Sequence, residues 1–262
     1  MTGLLEGKRG LVMGVANERS IAWGIARAMA DAGAELAFAI QSDAHARRVI
    51  PLAASLGSDF LIQTDVADEA SLDACFDRLR QQWGQIDFVV HAIAHAHKTD
   101  LQGRIIAIPR DNFVKTMTIS CYSFIDVARR AADLMPDGGT LITLTYQGST
   151  RVVPNYNVMG LAKAALESAT RYLADDLGPL GIRVNAISPG PVKTVSGTAV
   201  GDSHAIWRHS ADNAPLRGNP TLEAIGGTAV WLASPGGACT TGQIIHVDGG
   251  FSVRAMPLPE HL

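Results

Sequence analysis

Short apolar runs alternate along the chain with longer stretches in which apolar residues recur at helical spacing. The runs predict strands at 10–15, 35–40, 59–66, 87–93, 139–146, 182–188 and 243–250. The intervening stretches predict helices at 20–32, 44–56, 69–83, 110–135, 155–177 and 221–233. Because the predicted strands are apolar on both faces, they are typical of a parallel sheet covered by helices on each side.

This alternation predicts an α/β fold of the Rossmann type, with a doubly wound seven-stranded parallel sheet and helices on both faces. No Pro/Gly/Ser-rich linker divides the chain, so we expect residues 1–262 to form a single domain. Long loops at 94–109 and about 189–215 follow carboxyl ends of strands, where such sheets bind ligands. We expect the second loop to be a substrate lid.

Composition narrows the class of protein. The net charge of −3 gives no electrostatic reason to expect a nucleic acid or an anionic membrane as partner. No apolar run approaches the roughly 20 residues that span a bilayer, and the N-terminus lacks a signal-peptide pattern, so we expect a cytoplasmic protein. Cys75, Cys121 and Cys239 lie far apart and are expected to be reduced and buried.

The stretch "GVANERSIAWG" lies between the first predicted strand and helix, where dinucleotide phosphates bind in this fold. Gly14 would let the backbone turn, and Ser20 and the first helical amides, at Ile21 onward, would face phosphate. Ala22 and Gly24 would let the helix lie close to the sheet. The simpler interpretation is that Ser20 is only an N-cap.

The ends of the second and third strands bear on the choice of cofactor. Gln41 can hydrogen-bond a ribose hydroxyl without repelling a phosphate, so the sequence favours NADH and leaves NADPH open. Arg47 and Arg48 are expected on a solvated helix face. Asp65, followed by Val66, would accept a hydrogen bond from the adenine amino group, or would merely start a turn.

Tyr156 and Lys163 form the candidate catalytic pair, and they are expected to share one face of a helix across two turns. Lys163 would hold the nicotinamide ribose, and its charge would favour phenolate character in Tyr156. Tyr156 would act on an oxygen that becomes an anion during reaction. In the reduction of an enoyl thioester, negative charge develops on the thioester oxygen, several bonds from the carbon that accepts the hydride. The spacing of Tyr156 and Lys163, two helical turns, fits this separation.

Tyr146, at the end of the fifth predicted strand, is a second candidate catalytic residue. In carbonyl-reducing relatives a Ser stands at this strand end, and Tyr146 replaces it. Thr145 or Ser149 would supply the missing hydroxyl if the chain were instead a carbonyl or alcohol oxidoreductase. An aromatic lining without a chemical role is the simplest alternative for Tyr146.

Three histidines, His91, His95 and His97, follow one another around the end of the fourth strand. No acid or thiol stands in register with them, so we expect no metal site. His95 is expected to be a polar residue of the substrate pocket.

The chain resembles the NADH-dependent bacterial enoyl-acyl-carrier-protein reductases, a divergent branch of the short-chain dehydrogenase/reductase superfamily. The resemblance covers about residues 4 to 256 and rests on "GVANERSIAWGIA", "QTDVA", "SCYSF", "LITLTY", "PNYNVMGLAKAALE", "GIRVNAIS" and "HVDGGFS". It implies a homotetramer that uses NADH to reduce enoyl chains on acyl carrier protein in fatty acid synthesis.

The resemblance also implies roles for individual residues. Tyr156 would stabilise and protonate the enolate, Lys163 would hold the ribose, Tyr146 would shape the acyl pocket, and Ala96 would touch the substrate. The implied cofactor residues are Gly14, Ser20, Ile21, Gln41, Asp65, Val66, Ile93, Lys163, Val192 and Thr194.

The chain departs from the family pattern in its substrate-facing loops. The family commonly has Gly and an aromatic residue where this chain has Ala94 and His95, and "SAGP" is replaced by "SPGP" with Pro189. These departures leave open a paralogue with altered acyl specificity, or a relative that acts on a carbonyl or alcohol. A non-catalytic dinucleotide-binding protein is a further alternative, which the intact Tyr156 and Lys163 disfavour.

Overall fold

The computed structural model describes residues 3–194 and 203–258. Its seven strands form one parallel sheet in the order β3-β2-β1-β4-β5-β6-β7. The strands are β1 (Arg9–Met13), β2 (Glu35–Ile40), β3 (Leu61–Gln63), β4 (Phe88–His91), β5 (Gly139–Leu144), β6 (Ile182–Pro189) and β7 (Ile244–Val247). The strand order reverses between β1 and β4, which is the position where doubly wound sheets bind ligands. The predicted fold class is confirmed.

Helices connect successive strands and cover both faces of the sheet. They are α1 (Ile21–Asp31), α2 (Asp43–Ser55), α3 (Glu69–Trp83), α4 (Lys98–Leu101), α5 (Arg110–Met117), α6 (Ser123–Ala132), α7 (Asn157–Leu177), α8 (Ser203–Asn213) and α9 (Leu222–Ala233). A π-helical turn, Thr118–Tyr122, joins α5 to α6.

The core lies in two layers because successive residues of a strand point to opposite faces. Leu11 and Met13 belong to the cluster that packs against α3, α6 and α7. Val12, between them, belongs to the cluster that packs against α1, α2 and α9. All three side chains have no exposed surface, and burial of each contributes about 1.5–3 kcal/mol. This packing fixes the carboxyl ends of β1 and β4 side by side.

Several predicted boundaries were wrong. The single helix expected at 110–135 is broken by the π turn, and the strand expected at 59–66 is only Leu61–Gln63. Apolar spacing cannot show the π turn, because its extra residue depends on what Ser120 contacts in three dimensions.

The two long loops contain structure of their own. The loop after β4 holds the short helix α4 and a 3-10 turn, Ile105–Ala107. Of the expected lid at 189–215, Pro189 ends β6 and α8 is helical, while 195–202 lie outside the described residues.

Two remaining expectations concern cysteines and membranes. Cys75 and Cys121 are buried, but Cys239 is exposed, so the expectation for Cys239 was wrong. Cys239 follows the 3-10 turn Pro235–Gly237 in a surface connection, which apolar content alone did not reveal. Within 3–194 and 203–258, no helix is both long and apolar enough to cross a membrane.

Candidate active site

Gly14 lies at the carboxyl end of β1 and allows the loops after β1 and β4 to approach closely. Its φ of 96° lies in the region that favours glycine. A Cβ atom there would stand 2.1 Å from the carbonyl oxygen of Ala92. Any side chain at Gly14 would therefore push the two loops apart.

The amino end of α1 faces the same cleft. The Ser20 hydroxyl donates to the carbonyl oxygen of Asn17 at 2.7 Å and accepts from the Ala16 amide at 3.3 Å, and it does not cap the helix. The first turn of α1, which begins at Ile21, holds no acidic residue. Its amides and the helix dipole therefore suit an anion, and Ser20 stands at the N-cap position while its side chain bonds to no helical amide.

Gly24 performs a different packing role from the one expected. A Cβ at Gly24 would lie 2.7 Å from the Cβ of Leu222, so the glycine brings α1 against helix α9. Ala22 is buried in the core cluster beneath the sheet face, as the sequence indicated. The prediction that Gly24 packs on the sheet was wrong, because helical position alone does not show which neighbour a face meets.

His45 is a residue that the sequence analysis missed. The backbone N–H of Gln41, just after β2, donates to Nδ1 of His45 at 3.0 Å. The other ring nitrogen, Nε2, then carries the proton and donates to the carbonyl oxygen of Val15 at 2.5 Å. His45 thus ties the loops after β1 and β2 together, and Gln41 is left exposed at the rim.

In the loop after β3, the hydrogen bonds of Asp65 match the simpler interpretation, in which this residue starts a turn. Its Oδ1 accepts from the backbone N–H of Ala67 at 3.0 Å, and its own N–H donates to the Ser71 hydroxyl at 2.9 Å. Val66 and Ile93 are partly buried and pack against the same core cluster. Of the three predicted cofactor residues, Asp65 and Val66 lie on the loop after β3, and Ile93 lies on the loop after β4.

The segment after β6 completes this end of the sheet. Val192 packs partly buried against the core cluster of α1 and α9. The backbone N–H of Thr194 donates to the carbonyl oxygen of Val192 at 2.8 Å. Both residues are thereby placed in the connection that leads toward α8.

Tyr156 stands just before α7 rather than on its first turn, which corrects the expected helix-face arrangement. Asn155 and Asn157 on either side have φ values of 58° and 33°. Asn tolerates this left-handed region better than most residues, and the resulting kink sets the direction of Tyr156. Its ring packs edge-on against Tyr146, with 5.1 Å between centroids, so the two predicted tyrosines do meet.

Gly148 makes room for the Tyr156 ring. A Cβ at Gly148 would lie 2.4 Å from Cδ1 of that ring. Nothing in the sequence distinguished this glycine from an ordinary turn residue. It is a positioning residue that only the three-dimensional contact reveals.

Lys163 is buried on α7 and its Nζ donates to the carbonyl oxygen of Leu144 at 2.7 Å. Burial lowers the pKa of Lys163 to about 8, against opposing contributions from Cys121 and Glu167. Burial raises the pKa of Tyr156 far above its usual value, and Tyr146 and Glu167 raise it further. The pKa of Tyr156 therefore moves opposite to the expected effect of Lys163, because burial, Tyr146 and Glu167 all raise it. Tyr156 is a protonated phenol and can donate a proton.

The threonine hydroxyls at the end of β5 are turned into the protein. Thr145 Oγ1 donates to Oε1 of Glu167 at 2.6 Å, and both side chains are buried. Thr143 Oγ1 donates to the carbonyl oxygen of His91 at 3.1 Å. Ser149 lies half-buried in the 3-10 turn after Tyr146. Tyr146, not a threonine, is the residue of this strand end that contacts Tyr156.

Replacing Thr145 with valine tests this geometry. We expect the free energy of unfolding to fall by about 1–3 kcal/mol, because buried Glu167 loses its hydrogen-bond donor. The turnover rate on an enoyl thioester should change by less than about threefold, since the hydroxyl makes no contact with Tyr156. Chemical denaturation and NADH oxidation measure the two effects. A turnover loss of about 100-fold would instead make Thr145 the group that holds the reacting oxygen.

The loop after β4 provides the other wall of the site. Ala96 packs with Tyr156 against the small buried cluster that contains Met159. Ser120, placed by the π turn, accepts from the backbone N–H of His95 at 2.9 Å and donates to its carbonyl oxygen at 3.0 Å. Nε2 of His95 is buried without a hydrogen-bond partner, which suits a polar residue facing a pocket.

The three histidines lie in different surroundings. Burial, with a contribution from Lys163, lowers the pKa of His91 to about 3, so that side chain is neutral. Its Nε2 lies 2.8 Å from the Ser123 hydroxyl inside the core. His95 and His97 stack edge-on with 5.4 Å between ring centroids. Among the residues with described positions, no three metal-ligating side chains come together.

Comparison with known proteins places this site in a family. The family model described as "Enoyl-(Acyl carrier protein) reductase" matches residues 14–252. "Enoyl-[acyl-carrier-protein] reductase [NADH] 2" of Rhizobium meliloti (strain 1021) is 53% identical over 262 residues, covering 100% of this chain and 98% of that protein. "Enoyl-[acyl-carrier-protein] reductase [NADH] 1" of the same organism is 52% identical over 255 residues, covering 97% of this chain and 94% of that protein.

Solved structures of enoyl-acyl-carrier-protein reductases are similar to this chain in both fold and sequence. The enoyl-acyl-carrier-protein reductase of Anaplasma phagocytophilum, solved in complex with NAD, superposes with a TM-score of 0.96 at 48% identity and covers 98% of each chain. FabI from Candidatus Liberibacter asiaticus superposes with a TM-score of 0.97 at 50% identity, over 98% of this chain and 100% of that one. This chain belongs to the enoyl-acyl-carrier-protein reductase family, within the short-chain dehydrogenases/reductases.

Proposed function

We propose that this chain reduces trans-2-enoyl thioesters on acyl carrier protein to acyl thioesters, with NADH, in fatty acid synthesis. The observation that carries the proposal is the half-buried phenol of Tyr156, whose pKa is raised by burial and whose ring packs against Tyr146. A proton donor is what the charge developing on a thioester oxygen requires. Membership of the reductase family supports the same reaction.

The residues at the carboxyl ends of β1 to β4 fit a dinucleotide. Gly14 permits close approach of backbone, and the uncapped amides of α1, with Ser20 and Ile21, suit the pyrophosphate. Gln41, exposed just after β2, would hydrogen-bond the adenosine ribose and has no negative charge that would repel a phosphate. Asp65, Val66 and Ile93 would hold the adenine side, and Val192 and Thr194, after β6, would approach the nicotinamide and phosphate. When bound, NADH supplies the hydride that reduces the double bond.

The chain's own residues then position the substrate and supply the proton. Tyr156 donates a hydrogen bond to the thioester oxygen as negative charge develops there, and its proton is available for the enolate. Lys163 would hold the nicotinamide ribose, while Tyr146 and Ala96 would shape the acyl pocket. The edge-on contact between the two tyrosine rings keeps the phenol directed at one point.

The test of this function is NADH oxidation by the purified protein. We expect consumption of NADH with crotonyl and with longer trans-2-enoyl thioesters, and none above background with an acetoacetyl thioester. Consumption with the oxo substrate alone, or with neither class, would contradict the proposed function.

Lys163 is expected to set the upper limit of the pH range. Its pKa of about 8 means that the ammonium loses its proton as the pH rises through this value. Because kcat/KM for NADH reports groups of the free enzyme, it should fall about tenfold per pH unit above about pH 8. Lys163→Arg keeps the charge and should move the fall to higher pH. Identical profiles for both proteins would contradict the assignment.

The assembly we propose is a cytoplasmic homotetramer, with 189–215 as the lid over the substrate. Large apolar side chains remain exposed on the π turn and α7: Tyr122 is 49% exposed and Leu161 49%. Exposed apolar side chains on adjacent helices suit a symmetric contact between copies. Analytical ultracentrifugation should give four chains per particle, and a monomer would contradict the proposal.

A further inference from the structure

A cavity lined in part by Tyr146 adjoins the candidate active site. It has a volume of about 540 Å³ and lies between the loop after β5, helix α8 and the segment 251–257. The size is that of a small-molecule site. Because the Tyr146 ring lines the cavity and contacts Tyr156, the cavity adjoins the place where a thioester would react.

Most of the cavity wall is apolar. Val152, Ile206, Phe251 and Met256 contribute side chains from all three segments. Such a wall binds alkyl groups by removing their surface from water. The cavity therefore suits the outer part of an acyl chain whose thioester end lies at Tyr156.

Two buried polar atoms interrupt this apolar wall. Nε of Arg254 and Oε1 of Gln147 are both buried without a hydrogen-bond partner, and both residues line the cavity. Gln147 Nε2 donates to the Tyr146 hydroxyl at 3.3 Å. A 180° flip of the Gln147 side-chain amide would let Oε1 accept from the Tyr146 hydroxyl. The flip would also direct Nε2 to the cavity as a donor. Because a buried polar group without a partner is costly, these donors indicate a ligand that supplies acceptors.

The charged side chains that line the cavity also favour a ligand that supplies hydrogen-bond acceptors. Arg151 donates to the carbonyl oxygens of Ser252 and Arg254, at 2.6 and 3.4 Å, and holds the segment that carries Arg254. Asp and Glu are absent from the described residues that line the cavity, whereas two arginines and His209 are present. An apolar cavity with unopposed positive charge fits a chain that ends in an anion.

We propose that this cavity binds the distal end of an acyl chain that carries a terminal carboxylate, with Arg254 as its main partner. The inference rests on the proposed function and names its substrate class: ω-carboxylated trans-2-enoyl thioesters alongside unsubstituted ones. The carboxylate takes no part in the reduction. Its contacts lower KM by anchoring the chain.

The experiment compares a medium-chain trans-2-enoyl thioester with the analogue whose terminal methyl group is replaced by carboxylate. We expect the wild-type protein to have the higher kcat/KM for the carboxylated substrate, mainly through KM. In Arg254→Met the ratio of the two kcat/KM values should fall about tenfold to hundredfold, the effect of losing a charged hydrogen bond. Arg254→Lys keeps the charge and should retain most of the preference. Arg80→Met, at an exposed position of α3, is the matched control and should leave the ratio unchanged.

Calorimetric binding of the two saturated acyl thioesters separates this inference from the proposed function. Tighter binding of the carboxylated thioester to wild type than to Arg254→Met supports the inference, even if neither enoyl substrate is reduced. Equal binding by both proteins, together with reduction of the plain substrate alone, would overturn the inference and leave the proposed function standing. Occupation of the cavity by water only would give this second result.

Discussion

Replacing Tyr156 with phenylalanine is expected to lower kcat for enoyl thioester reduction by about 100- to 1,000-fold, the usual cost of losing one donor to a developing oxyanion. The KM for NADH should change by less than about twofold, because the ring keeps its edge-on contact with Tyr146. The physical reason is that burial keeps the Tyr156 phenol protonated, so the variant loses the only group we assign to proton donation.

The matched control for this variant is Tyr172→Phe. Tyr172 lies on α7, but its side chain is 73% exposed, so loss of that hydroxyl should leave kcat unchanged. Steady-state kinetics with a saturating enoyl thioester measures both variants. A Tyr156→Phe protein with full kcat would remove the phenol from the mechanism and would revive a non-catalytic, dinucleotide-binding role.

Replacing Gly14 with alanine is expected to have the largest effect outside the catalytic pair. The left-handed backbone costs about 1–3 kcal/mol for a residue other than glycine, and the new Cβ would strike the Ala92 carbonyl oxygen, 2.1 Å away. We expect the free energy of unfolding to fall by about 3 kcal/mol in total. Affinity for NADH should fall about 100-fold, because the loops after β1 and β4 separate.

Gly57→Ala isolates the clash from the backbone strain. Gly57 also has positive φ, at 75°, but a Cβ there would meet nothing within 4 Å. This variant should lose about 1 kcal/mol and keep its affinity for NADH. Chemical denaturation and a binding titration with NADH measure both proteins. Equal losses of stability for Gly14→Ala and Gly57→Ala would contradict the close approach of the two loops.

The sheet could be predicted from the sequence because its strands are buried on both faces. A run such as "ELAFAI" is apolar throughout, and the observed strand β2 has the predicted bounds, Glu35–Ile40. The ends of elements were predicted less well. Where Asn155 and Asn157 bend the chain before α7, or where Ser120 is held in a π turn, the determining contacts come from distant parts of the sequence.

The candidate site likewise has features that the sequence predicted and features that it could not predict. The sequence identified Tyr146 and Tyr156 as separate candidate catalytic residues, and their rings meet because the end of β5 and the start of α7 lie at one edge of the sheet. It could not predict that the Thr145 hydroxyl points to Glu167, since a sequence shows which groups are present and not their directions. The protonation of Tyr156 was predicted wrongly for a related reason: the extent of burial decides it, and burial is a property of the folded chain.

The most direct test of the account is the fate of the hydride. NADH labelled with deuterium on the transferring face of C4 is incubated with the protein and a trans-2-enoyl thioester, and the product is examined by mass spectrometry and NMR. The account predicts one deuterium on the β-carbon of a saturated acyl thioester, with a solvent proton at the α-carbon. Deuterium on a carbon that bears a hydroxyl, formed only from a 3-oxoacyl thioester, would contradict it.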